Sequence, residues 1–231
     1  MLALFPEGFE EAEHGDEHEL VAYTDAAGEA RMGAAFGSVL ATDVPSDWEE
    51  RWKRFHRPVR AGGIWIVPPW EHDPSDDEAI SIDPGRAFGT GAHPTTRLCL
   101  ELISELARGS FLDVGCGSGV VSIAAARLGF DPVIGLDRDA EAVEAARRNA
   151  AANGVGAEFR LADALIAALP RVDVAVVNVS ESIVAAVAPR LACKLVVTSG
   201  YFEPHTPRVS GFRTIGRMTL DGWAADLHAR E

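Results

Sequence analysis

A run of glycines at the end of an apolar stretch carries the sharpest chemical signal in this chain. Leu112-Asp113-Val114-Gly115-Cys116-Gly117-Ser118-Gly119 reads as a strand that closes in a tight turn and opens a helix. Side chains at Gly115, Gly117 or Gly119 would obstruct both the turn and the approach of a ligand to the backbone. The spacing excludes the standard dinucleotide fingerprint, whose third glycine would fall at Val120 or Ser122. Here it falls at Gly119, which gives G-x-G-x-G. A structural turn is the competing account of such a triad taken alone. The next strand weighs against it, because Gly135-Leu136-Asp137 puts a carboxylate 22 positions after Gly115. An acid at that strand tip can accept hydrogen bonds from both hydroxyls of a ribose. Asp137 could instead cap the following helix, but Asp139 holds the better cap position.

A third segment, Phe88-Gly89-Thr90-Gly91-Ala92-His93-Pro94-Thr95-Thr96, runs into a helix expected over Arg97–Leu106. Its glycines allow close backbone approach, Pro94 suits a helix entrance, and first-turn amides with the Thr95 and Thr96 hydroxyls form a receptor for a carboxylate. The bland reading of this segment is a capped turn. Asp163, after the third strand in Leu161-Ala162-Asp163-Ala164, is placed to reach the amino group of an adenine. Asn178 closes the fourth strand in Val176-Val177-Asn178-Val179. At a strand C-terminus its amide would face the reacting centre, with the carbonyl free to orient an incoming amine. Its structural alternative is to cap a helix expected over Ser182–Arg190. His93 could serve as a base, but a loop histidine packed on the turn is the simpler reading. The other histidines lack ligand spacing, so no metal is expected, and there is neither a G-x-S-x-G elbow nor a G-K-[ST] phosphate loop.

These residues require a scaffold that brings several strand tips to one edge. From Ala79 onward the pattern alternates strand and helix, as a mostly parallel sheet covered on both faces requires. Strands are expected at Phe111–Val114, Pro132–Leu136, Glu158–Leu161, Val172–Val177 and Leu195–Thr198, with helices over Val120–Leu128 and Asp139–Ala152. Phe212–Met218 and Trp223–His228 alternate as an antiparallel edge hairpin would. Upstream, short apolar runs such as Leu20–Tyr23 and Ser38–Ala41 suggest a small α+β unit. Trp48, Trp52 and Phe55 recur at helical spacing behind Ser46 and Asp47. Pro58, Gly62-Gly63 and Pro68-Pro69 suggest a linker, which divides the chain into residues 1–55, a linker at 56–70, and residues 71–231.

Bulk properties narrow the function. With 231 residues, 47% of them hydrophobic, the chain can bury one main domain and a small appendage. No apolar run is long enough for a membrane span and the N-terminus does not read as a secretion signal, so a cytoplasmic location is expected. Cys99, Cys116 and Cys193 are widely spaced and read as reduced thiols. A net charge of −14 argues against direct nucleic-acid binding and favours a basic partner. Seven acids and no Lys or Arg lie between Glu7 and Glu19, and a second acidic cluster spans Glu71 to Asp83. Such runs are either solvated loops or a landing surface for a lysine-rich protein.

The segments Phe88–Thr96 and Asp113–Gly119, together with Phe5-Pro6-Glu7-Gly8-Phe9, carry a resemblance that spans nearly the whole chain. On them the sequence resembles the ribosomal protein L-eleven methyltransferases, the PrmA family. The resemblance implies an α/β fold with a seven-strand Rossmann-like sheet, mostly parallel with an antiparallel edge hairpin, and a small α+β substrate-recognition domain at residues 1–55. It implies S-adenosylmethionine as cofactor, with Thr96, Gly115, Asp137 and Asn178 on the family's contact positions. The expected activity is methylation of lysine ε-amines and an α-amine of ribosomal protein L-eleven. Phe88, Gly89, Thr90, Gly91, Thr95, Asp113, Gly117, Gly119 and Asp163 complete the expected cofactor site, and Asn178 is the expected catalytic residue. Two features depart from the family pattern: the recognition domain reads as clipped, and Val-Ser-Glu-Ser follows Asn178 where the family has Ile and small apolar residues. Methylation of another protein or a small-molecule amine, and a non-catalytic ribosomal-protein binder, are the alternatives. A nicotinamide oxidoreductase is more remote because its third glycine is misplaced.

Overall fold

The structure, a computed structural model, describes residues 10–14, 17–21, 26–37, 39–40, 57–71, 79–83 and 91–231. The chain divides into two compact units, Met1–Arg51 and Trp52–Glu231. In the first, β1 (Glu10–His14) and β2 (Glu17–Val21) form an antiparallel hairpin, followed by α1 (Ala26–Phe36). This is the expected α+β mixture. Within the apolar run Ser38–Ala41, residues 39–40 are neither helix nor strand, and the Trp48–Phe55 helix and the Phe5–Phe9 segment lie outside the described residues.

The second unit, from Trp52 on, takes in residues 56–70, which the sequence suggests as a linker. Instead, β3 (Val59–Ala61) and β4 (Ile64–Val67) pair antiparallel across the Gly62-Gly63 turn, and β5 (Ala79–Ser81) adds in parallel to β4. The glycine pair makes a hairpin, and four of the apolar residues between the prolines, Ala61, Ile64, Ile66 and Val67, are buried in the core while Trp65 is exposed.

The main sheet is built from β6 (Phe111–Val114), β7 (Val133–Asp137), β8 (Ala157–Leu161), β9 (Val174–Asn178), β10 (Leu195–Phe202), β11 (Phe212–Leu220) and β12 (Trp223–Arg230). Its order is β11-β12-β10-β9-β6-β7-β8, parallel from β10 to β8 with an antiparallel hairpin at the other end. Helices α2 (Pro94–Ser104), α3 (Val120–Arg127) and α4 (Ala140–Ala152) contribute to the core on one face, and α5 (Glu181–Val187) on the other. The central strands are apolar along their length because both faces are covered: every residue of β6 is buried, and Phe111 and Leu112 point into opposite cores. Successive strands run outward from β6 in both directions, so the chain reverses its winding between β6 and β9. Open α/β sheets bind ligands beyond the strand C-termini at such a reversal.

Candidate active site

A cavity of about 620 Å³ opens there, within the range of small-molecule sites. It is lined by the tips of β6, β7 and β9, the first turn of α2, and Trp223 at the start of β12.

The glycine loop forms its floor. The amides of Gly115 and Cys116 both donate to the Leu136 carbonyl, at 2.8 and 3.0 Å, which folds the loop onto the neighbouring strand. Gly115 has φ +74°, and a Cβ there would sit 2.6 Å from Val179 Cγ1, so both backbone and packing demand glycine. Gly115 and Gly117 line the cavity, whereas Gly119 does not. Its missing Cβ instead leaves room for Ala146 of α4, 2.9 Å away. Gly91 is likewise absent from the lining and packs on Ile66 of β4. Phe88, Gly89 and Thr90 lie outside the described residues.

Asp137 projects from the end of β7. Its Oδ2 accepts from the Gly117 amide at 2.9 Å and its Oδ1 from the Asp139 amide at 3.0 Å, which fixes the carboxylate and leaves each oxygen further accepting capacity. Asp139 is the cap of α4, accepting from the Glu141 amide at 2.9 Å, so Asp137 does not serve as that cap. Asp113 lies deeper, 2% exposed, with Oδ2 accepting from the Ser122 amide (3.1 Å) and hydroxyl (2.7 Å). Burial pushes its pKa up to about 6; the Ser122 hydrogen bonds oppose the shift, and the nearby Asp137 charge adds to it. Asp163 also lines the cavity, and its Oδ1 accepts from the Leu165 amide at 2.9 Å.

Helix α2 starts at Pro94, three residues before the expected Arg97, because His93 caps it. The ring Nδ1 accepts from the Thr95 amide at 3.3 Å and lies 2.8 Å from the Thr95 hydroxyl, while burial lowers the histidine pKa. This supports the loop role for His93 over that of a base. Thr95 and Thr96 are 2% exposed and line the cavity at the positive end of the helix dipole.

Asn178 is half-buried at the end of β9 and lines the cavity. The N-cap of α5 is Ser180, so Asn178 is not a helix cap. Among the described residues no group hydrogen-bonds its side-chain amide. Val179 beside it is wedged from two sides, by Gly115 and by Gly200, where a Cβ would lie 1.9 Å from the Val179 carbonyl oxygen. Gly200 has φ +98° at the β-bulge of β10. Gly200 and Trp223 both line the cavity, and sequence reasoning missed both. A lone glycine near the end of a strand run is the signal for the first. Trp223, edge-on to His93 at 4.8 Å, had none beyond opening a strand.

The family model for "Ribosomal protein L11 methyltransferase (PrmA)" matches residues 11–205. A ribosomal protein L11 methyltransferase of Symbiobacterium thermophilum is 39% identical over 197 residues, covering 78% of this chain and 65% of the relative. That of Thiobacillus denitrificans is 43% identical over 172 residues, covering 72% and 57%. The crystal structure of a ribosomal protein L11 methylase from Lactobacillus delbrueckii subsp. bulgaricus superposes with a TM-score of 0.67 at 27% identity, covering 76% of this chain and 99% of that one. The chain spans between 47% and 65% of the length of these curated relatives and that of Caldicellulosiruptor saccharolyticus. With a family model matched over most of its residues and a relative 39% identical over 78% of it, the chain belongs to the ribosomal protein L11 methyltransferase (PrmA) family.

Proposed function

We propose that this protein is an S-adenosylmethionine-dependent N-methyltransferase that modifies lysine ε-amines and an α-amine of ribosomal protein L11. The observation that carries the reading is that one cavity is lined both by the Asp137 carboxylate and by the first turn of α2. An acid with spare lone pairs suits the two hydroxyls of a ribose, and a positive helix end bearing two hydroxyls suits an amino-acid carboxylate. Few small molecules other than an amino-acid-bearing nucleoside ask for both. The glycine floor, which a Cβ at Gly115 would obstruct, also fits such a ligand.

Asp137 and Asp163 would hold the nucleoside, Thr95, Thr96 and the α2 amides the amino-acid end, and Gly115 and Gly117 the middle. Once bound, the cofactor supplies an electrophilic methyl whose bond to cationic sulfur breaks as the amine nitrogen bonds to carbon. The chain's share is position and electrostatics. Asn178 would accept a hydrogen bond from the amine and so aim its lone pair. A lysine, with a pKa of about 10.4 in water, must first lose a proton. Val179, Ile183 and Trp223 line the same cavity as Asn178 and would desolvate the ammonium, lowering that value without a dedicated base. We assign substrate recognition to the N-terminal unit, and a net charge of −14 suits a basic protein better than nucleic acid. No helix among the described residues is long and apolar enough to cross a membrane. A cytoplasmic site of action accords with a ribosomal substrate.

Incubation with radiolabelled methyl donor, purified ribosomal protein L11 and, in parallel, a cell extract tests the reading. Label in ribosomal protein L11 is the expected result. Label only in other bands would overturn the substrate, and no label anywhere would overturn the activity.

A further inference from the structure

Two parts of the chain that the proposed reaction leaves unused come together beside the half of the cavity assigned to the amine. One is the Val-Ser-Glu-Ser run after Asn178, and the other is the turn that follows β10. Ser180 lines the cavity, and Glu181, next in the chain, opens α5. Glu181 Oε2 lies 2.7 Å from His205 Nδ1, and because an ionised carboxylate only accepts, the imidazole is the donor. The His205 ring stands edge-on to Phe202 with 6.4 Å between centroids, and Phe202 lies against Trp223 at 4.4 Å. Trp223 is itself a wall of the cavity. A continuous line of contacts therefore runs from the start of α5 to the start of β12, and both of its ends border the cavity.

This line is held in place before any partner arrives. Arg217 of β11 donates to the carbonyls of Glu203 and His205, both at 2.7 Å, and to the Thr206 hydroxyl at 3.0 Å. A guanidinium that directs three hydrogen bonds to one exposed turn fixes the segment carrying Phe202 and His205. Phe202 nevertheless leaves 54% of its surface open, which extends the apolar wall of Trp223 outward. Among the described residues, the Glu181 side chain has His205 as its one partner, so its Oε1 is open to a further donor. A lysine offers the matching parts, an apolar four-carbon stem and a charged head. We propose that Phe202 and Glu181 are specificity-determining residues of the methyl transfer. Phe202, with Trp223, takes the stem of the target lysine, and Glu181 takes a second cation from a neighbouring lysine or arginine of the substrate. The substrate class is therefore a basic segment in which the target amine has a positive neighbour, in keeping with the net charge of −14. This recognition adds to that assigned to the N-terminal unit, and it rests on the proposed function.

The test follows methylation of purified ribosomal protein L11 and, separately, binding of S-adenosylhomocysteine by calorimetry. Glu181→Gln should raise KM for the protein about fivefold at low salt, with kcat and the Kd for S-adenosylhomocysteine within about twofold. The gap to the wild type should close at about 0.5 M NaCl, where exposed charges are screened. Glu158→Gln removes the same charge from β8, at the edge of the sheet remote from β12, and should leave KM within about twofold. Phe202→Ala should raise KM about tenfold at either salt concentration, and Phe202→Tyr should restore it to within about twofold of the wild type. An unchanged KM in Glu181→Gln, or an equal rise in Glu158→Gln, would overturn the role of the charge. A loss of S-adenosylhomocysteine affinity in Phe202→Ala as large as the rise in KM would make that ring part of the cofactor wall and overturn its role. A wild type that labels no ribosomal protein L11 would overturn both the inference and the proposed function, whereas labelling that is indifferent to all these variants would overturn the inference alone.

Discussion

Asp137 and Asn178 both occupy strand tips and both line the cavity, but they face different demands. Asp137 is already fixed by two backbone amides, so its remaining acceptor capacity comes pre-aimed. Hydrogen bonds to a carboxylate contribute about 1.5–3 kcal/mol each, so losing two should weaken binding of S-adenosylhomocysteine by at least about 100-fold in Asp137→Ala. Asn178→Ala should leave that affinity within about threefold and lower kcat by about 10–100-fold, as expected for a group that acts only on the incoming amine. Calorimetry beside single-turnover methylation checks both halves, and undiminished turnover by the Asn178 variant would refute its role. These acids and amides could be picked out in the sequence because each ends a recognisable apolar run. The glycines were legible only in part. A glycine announces a missing side chain without saying who fills the space, and at Gly91 and Gly119 the occupant is Ile66 or Ala146.

The elements around the site are held by contacts between strand ends. The β10 bulge brings Gly200 against the Val179 carbonyl, which makes the strand carrying Asn178 dependent on its neighbour. Gly200→Ala places a Cβ 1.9 Å from that oxygen, at a φ that alanine also resists, so the Asn178–Val179 turn must move. A displacement of about 1 Å at a reacting group can cost about 100-fold, so kcat should fall by roughly that factor while affinity for S-adenosylhomocysteine falls far less. Steady-state kinetics beside calorimetry separates the two, and equal losses would point to a collapsed pocket instead. Strand and helix periodicity is readable through the middle of the main sheet because β6, β7 and β9 are buried on both faces and so appear as short unbroken apolar runs. The stretch between Pro58 and Pro69 was misread because punctuation alone does not distinguish a linker from a short hairpin. What distinguishes them is tertiary: Gly62 lies so close to α2 that a Cβ would meet the Leu100 carbonyl at 2.4 Å.

At the scale of the whole molecule, the buried Asp113 makes folding stability depend on pH. Its carboxyl is held at about 6 in the fold against 3.8 in the open chain, so the folded state keeps the proton longer. The resulting cost is absent below pH 3.8, grows as pH rises to about 6 and is constant above it. A shift of that size corresponds to at most about 3 kcal/mol. Asp113→Asn should therefore be the more stable protein at pH 8 by up to that amount, with the difference closing between pH 6 and 4. Urea denaturation across that range measures it, and a gap that does not vary with pH would exclude the mechanism. His93 and His228 pull the other way: burial holds both neutral, so their contribution is complete above about pH 6.5 and lost as pH falls below it. The order of the sheet has a consequence for biosynthesis. β12, later in sequence than every parallel strand, lies between β10 and β11, and its first residue, Trp223, walls the cavity. A nascent chain can stack its parallel strands early, yet the pocket lacks one wall until β12, which follows them in sequence, has been made and has paired with β10. Ligand binding therefore waits on a strand encoded after every parallel strand of the sheet.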